Sequence, residues 1–181
     1  VKSSRLRVPI GYAFGIAALY FARPTTLSVG LGLPFVILGE LMRLWASGHI
    51  EKTRALATGG PYAHTRNPLY FGSVLLGLGI GIAAASPTVL VALVVYFAAF
   101  YPTVIAEESA FLRQKFGAEY AAWAAAVPVF LARPWPAGPR ASRFSWERVR
   151  VNREWRTALA VPIVLLLLLG RGWLRETGRL A

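Results

Sequence analysis

Two short stretches of the chain gather most of the side chains able to do polar chemistry. The first runs Gly59-Gly60-Pro61-Tyr62-Ala63-His64-Thr65-Arg66-Asn67-Pro68-Leu69-Tyr70-Phe71-Gly72. It sets phenols, an imidazole, a guanidinium and an amide just ahead of an apolar run. Gly-Gly-Pro predicts a turn, and Asn67-Pro68 predicts a helix start, because proline is tolerated in a first helical turn. Together with the free N–H groups of a helix start, these side chains suit a carboxylate or a phosphate. A plain Pro-Gly connector with interfacial tyrosines is the alternative reading. The second stretch is Glu107-Glu108 with Arg113 beyond it. Ionisable groups in or at the edge of a bilayer are costly and default to functional candidates. On one continuous helix Glu107 and Arg113 would be about 120° apart, flanking a cleft rather than pairing. The plainer reading is two solvated carboxylates closing a helix, where the dipole disfavours them.

A second tier of polar residues lies upstream. Glu40 and Arg43 are spaced to pair on one helix face. His49 and Lys52 follow Trp45 and read either as a solvated loop or as contacts to a cofactor or substrate headgroup.

Composition excludes much else. The chain has 181 residues, 56% of them hydrophobic, with mean hydropathy +0.50 and formal charge +12. A soluble domain is nearer the high forties in per cent apolar. There is no cysteine or aspartate and there are only two histidines, which argues against a metal centre, a Ser-His-Asp triad or a thiol nucleophile. Strong positive charge alone would suit nucleic acid. The charges cluster between long apolar runs, however, so they predict cationic loops against anionic lipid and no nucleic-acid partner.

Those runs define the positioning elements. About 20 apolar residues cross the hydrocarbon, and the runs are Val8–Ala22, Leu27–Trp45, Leu69–Ala85, Thr88–Ala106 and a shorter one at Ala158–Gly170, extending at most to Leu174. The first has the charged start of a signal peptide but no small-residue cleavage site, so it reads as a retained helix. Ser86-Pro87 forces the third and fourth into a tight hairpin. The last either crosses fully or turns back. Gly77 and Gly81, with Gly72 and Gly79, read as a packing face. Lys and Arg place the N-terminus and both polar stretches on the cytoplasmic side, as in a bacterial inner membrane. Residues 131–157, with Trp135, Trp146 and Trp155 among arginines and Trp123 just upstream, read as an interfacial basic segment.

The order Gly-Pro-Tyr-x3-Arg-x-Pro-x-Tyr-x-Gly, a helical hairpin, then Glu-Glu-x2-Phe-Leu-Arg-x2-Phe-Gly-x-Glu-Tyr resembles a known membrane family. It is similar to the isoprenylcysteine carboxyl methyltransferases and the related phospholipid methyltransferases. The match covers about residues 27–130, and the chain reads as one domain, 1–181. The resemblance implies an all-α polytopic helical bundle of about five transmembrane helices, with an S-adenosylmethionine pocket at the cytoplasmic face. Carried over residue by residue, it implies cofactor contacts at Tyr62, His64, Arg66, Asn67, Tyr70 and Glu108, and catalytic roles for Glu107 and Arg113. Asn67 stands where the family commonly has histidine. Asn cannot carry charge, which puts more of any carboxylate binding on Arg66. The implied reaction is methyl transfer to a lipophilic acceptor, a membrane-soluble carboxylate, hydroxyl or amine. An NADPH-dependent membrane sterol or lipid reductase and a non-enzymatic scaffold are the alternatives.

Overall fold

The computed structural model describes residues 19–51, 54–138 and 142–179. Among them every regular element is helical: α1 (Thr26–Ser47), a 3-10 turn (Gly60–Ala63), α2 (Pro68–Ala83), α3 (Pro87–Ala126), α4 (Trp146–Val151) and α5 (Trp155–Glu176). The all-α expectation holds. Of the described helices, α1, α3 and α5 are long and apolar enough to cross a membrane, while α2 has only 16 residues. The first expected span falls mostly outside the described residues; of the other four, three are full-length helices here and the fourth is α2.

The chain divides into two compact units. The first comprises residues up to Leu38, Val74–Val104 and Leu159 onward. In α1, Val29, Gly32 and Val36 form a buried stripe, while Leu27, Leu31 and Leu38 are exposed on the other side. This is the spacing of one helix with a packed face and a lipid face. Buried Ala22, Ala83, Ala84, Val89 and Leu168 complete one core cluster with Val29; Leu76 and Val161 pack with Val36 in another. Close packing rests on small residues, as it must where lipid removes the hydrophobic drive between helices. A Cβ at Gly79 would lie 2.7 Å from the Gly32 carbonyl oxygen, and one at Gly81 would lie 3.0 Å from Leu90. The packing reading of the α2 glycines therefore holds. The α2–α3 connection is as tight as expected, with Ala85 in the left-handed region at φ 49°.

The ends of α5 were underestimated by its apolar run. The helix has 22 residues, because Trp155–Thr157 and Arg171–Glu176 continue its backbone ladder past the apolar stretch. Arg171 donates to the carbonyls of Leu19 at 2.9 Å and Tyr20 at 3.3 Å, so this arginine ties α5 to the segment before α1 within the unit.

The second unit comprises Gly39–Ser73 and Ile105–Ala158. Its core holds Ala46, Leu56, Tyr62, Tyr120, Trp123 and Val127. Trp123, expected at the interface, is instead buried and donates its indole N–H to the Tyr62 carbonyl at 3.0 Å. Trp135 and Trp146 are exposed, as interfacial rings should be. The short helix α4 is pinned beside the end of α1 by Asn152, whose amide donates to the carbonyls of Ser47 at 2.9 Å and Ile50 at 3.1 Å.

The Glu107-Glu108 pair does not end a helix. α3 continues through it to Ala126, because Ala, Glu, Leu, Arg, Gln and Lys between 106 and 115 are all good helix formers. The helical backbone angles are interrupted at Gly117, with φ 49° and ψ −118°. A Cβ there would meet nothing within 4 Å, so Gly117→Ala should cost only backbone strain, about 1–2 kcal/mol. Thermal unfolding in detergent would show this as a small drop in Tm.

Candidate functional site

The site lies in the second unit and starts from a turn. Gly60 sits at φ +56° and its missing side chain leaves room for the ring of His49. Pro61, Tyr62 and Ala63 follow as one buried 3-10 turn. The chain then runs beside the Pro-rich segment after α3. Arg66 N–H donates to the Pro128 carbonyl at 2.8 Å, Arg133 N–H to the His64 carbonyl at 3.0 Å, and Ala137 N–H to the Ala63 carbonyl at 2.8 Å. Side chains reinforce this. The Thr65 hydroxyl donates to the Phe130 carbonyl at 2.9 Å and the Asn67 amide to the Val129 carbonyl at 2.7 Å. His64 Nδ1 lies 2.8 Å from the Arg133 carbonyl, so that nitrogen carries a proton. The Asn67 amide donor and His64 Nδ1 are thus engaged in holding the loop.

This anchoring aims the first turn of α2 at the middle of α3. The Tyr70 hydroxyl donates to Glu108 Oε1 at 2.7 Å, joining the two motifs directly. Glu108, Leu112 and Phe116 recur every fourth residue and so share one face of α3. Leu112 and Phe116 pack on the Tyr62 cluster. Burial pushes the Tyr62 phenol well above its ordinary range, with the negative charge of Glu108 and the neighbouring Tyr70 adding to the effect. Tyr62 is therefore a neutral donor at any working pH.

Among the described residues of the second unit, the buried atoms Arg66 Nε and Glu107 Oε2 have no hydrogen-bond partner. Among the described residues the Arg66 guanidinium reaches the Tyr120 hydroxyl, at a long 3.5 Å. Buried donors and acceptors are almost always satisfied, so each of these groups keeps an open valence.

Other expected residues are placed differently. Arg113 is exposed and lies about 140° around α3 from Glu108, so the structure does not gather it with the others. His49 is buried, not in a solvated loop; its Nδ1 meets the Trp45 carbonyl at 2.9 Å. Lys52 lies outside the described residues. Glu40 and Arg43 do not pair. Arg43 Nε instead donates to Glu154 at 2.7 Å, and both Glu40 oxygens are left without a partner. Glu154 was not foreseen. Its only local signal is an acid inside an arginine-rich run, and its partner lies 111 residues away. Among the described residues no group of three or more possible metal ligands comes together.

Residues 27–119 match the family model described as phospholipid methyltransferase. The chain is similar to the cobalt-zinc-cadmium resistance protein CzcN of Cupriavidus metallidurans, 39% identical over 105 residues, covering 57% of this chain and 48% of that one. The nickel-cobalt-cadmium resistance protein NccN of Alcaligenes xylosoxydans xylosoxydans is 36% identical over 105 residues, covering 57% and 49%. Protein-S-isoprenylcysteine O-methyltransferase B of Arabidopsis thaliana is 32% identical over 109 residues, covering 54% and 55%. The chain thus spans about half the length of the curated relatives it matches. No solved structure matches it.

Proposed function

Because the chain belongs to the phospholipid methyltransferase family, we propose that it is an integral membrane enzyme that transfers a methyl group from S-adenosylmethionine to a lipophilic acceptor at the cytoplasmic face. The observation that carries this reading is that two buried polar atoms of the first and second motifs, Arg66 Nε and Glu107 Oε2, are open among the described residues. The amino-acid end of S-adenosylmethionine is a zwitterion, and these two atoms have the charges and open valences to receive its carboxylate and its ammonium. The cofactor supplies a methyl group on an already activated sulfonium, so the protein's work is mainly alignment.

Each residue then has a defined task. Arg66 binds the carboxylate as a charge-assisted donor, and Tyr62 stays protonated as a second donor nearby. Tyr70 holds Glu108 in a fixed orientation, which keeps a carboxylate beside the cationic end of the cofactor. His64 and Asn67 act through the loop they anchor. Arg113, exposed on α3, would serve an anionic group of the acceptor.

The test is calorimetric titration of S-adenosylmethionine into detergent-purified protein, with NADPH as the competing class. Micromolar binding is expected, weakened about tenfold in Glu108→Ala, the loss of one hydrogen bond to a charged group. NADPH binding without methyl-donor binding would overturn the proposal and favour a reductase. A folded protein that binds neither would favour a scaffold.

A further inference from the structure

We propose that Glu154 is a positioning residue: acting through Arg43, it sets the first turns of α2 and so the contact between Tyr70 and Glu108. The functional part of this rests on the methyltransferase reading, but the geometric part does not.

Arg43 is the hub. Its Nε donates to Glu154 Oε1 at 2.7 Å, with side-chain exposures of 19% and 7%. Its Nη1 donates to the Ser73 hydroxyl and, at 3.5 Å, to the Leu69 carbonyl. Its Nη2 reaches the Thr157 hydroxyl at 3.4 Å. One planar guanidinium therefore ties α1 to both sides of Tyr70 on α2 and to the start of α5. Gly72 makes this approach possible, since a Cβ there would lie 2.7 Å from Arg43 Cγ and 2.8 Å from the Gly39 carbonyl oxygen. The last glycine of the first motif is thus explained by an arginine outside it.

The direction of Arg43 is a choice between two carboxylates. Glu40, one turn back on the same helix, has both oxygens buried and unpartnered. Glu154 takes the Nε–H instead and leaves Nη1 pointing at α2 and Nη2 at the start of α5. Arginine presents its donors in a rigid plane, so fixing Nε fixes the others. Without Glu154, the nearest buried anion for Arg43 is Glu40, and reorienting toward it would withdraw the donors from Leu69 and Ser73. Glu154 lies beyond the region matched by the family model, which ends at 119. The segment before α5 therefore contributes to the site through Glu154.

The experiment has two readouts on full-length protein in detergent. The first is a thermal-unfolding double-mutant cycle of Glu154→Gln with Tyr70→Phe. Coupling is expected: Tyr70→Phe should lower Tm clearly in the native background and much less in Glu154→Gln, because the contact it removes is already loosened. The second is S-adenosylmethionine affinity and turnover. Glu154→Gln should weaken donor affinity about tenfold while turnover at saturation changes less than about threefold, and Glu154→Asp should restore most of it. Additive Tm changes together with native donor affinity in Glu154→Gln would overturn the proposal. If the native protein binds no donor, the methyltransferase reading falls and the cycle alone decides the positioning role. Should Glu154→Gln not fold, Glu154→Asp takes its place in both comparisons, with smaller effects of the same sign.

Discussion

Replacing Arg66 with glutamine is expected to weaken S-adenosylmethionine binding by about 10–100-fold, the effect of losing a charged hydrogen bond of about 1.5–3 kcal/mol. Little change in Tm should accompany the loss. Among the described residues the Arg66 side chain makes a long 3.5 Å contact to Tyr120, and its Nε has no partner. The anchoring of the loop at this position comes from the backbone N–H, which glutamine retains. Removing the side chain therefore takes away an open binding group, not a structural bond. In the same titration, Arg113→Gln should shift donor affinity by no more than about twofold, because Arg113 is exposed and turned about 140° from Glu108. Equal losses in the two variants would mean that general positive charge, not a directed donor, attracts the ligand.

Gly60→Ala is expected to cause the largest loss of stability in the second unit. Gly60 has φ +56°, a region that costs an L-residue about 1–2 kcal/mol. An added Cβ would also strike the His49 ring at Cε1, Nε2 and Cδ2. His49 cannot easily retreat. It is buried, its Nδ1 is held at 2.9 Å by the Trp45 carbonyl, and its ring packs near Trp45 and Phe144. Overpacking of this kind adds about 1–3 kcal/mol, so the total is about 2–5 kcal/mol. The check is thermal unfolding of Gly60→Ala, His49→Ala and the double variant. The double variant should recover the steric share and leave the backbone share, giving less than additive destabilisation. Strict additivity would mean that the two residues do not touch.

The amino-acid sequence by itself determined the helical membrane class, the tight α2–α3 hairpin and the membership carried by two motifs. Those features are local. Apolar run length, Ser86-Pro87, and the order of Gly, Pro, Tyr, Arg and Glu can all be read along the chain without knowing what lies across from it. It also supplied the candidates that the structure joins most directly, Tyr70 and Glu108. The helix that carries Glu107 was legible only in part, because the fall in hydropathy after Ala106 looks like an end, whereas backbone propensity carries the helix on.

Partner choice was decided by the tertiary structure alone. Glu40 has the right spacing for Arg43, yet Arg43 turns to Glu154, 111 residues on. Helical spacing sets which groups can meet, but a buried guanidinium goes where several of its donors can be satisfied together, and that depends on which segments pack around it. The same holds for Trp123 and His49. Their residue types suit an interface or a loop, and they are buried because the chain elsewhere covers them. The open valences of Arg66 and Glu107 are a tertiary fact of the same kind: a polar atom is left without a partner only by what every neighbouring element fails to offer it.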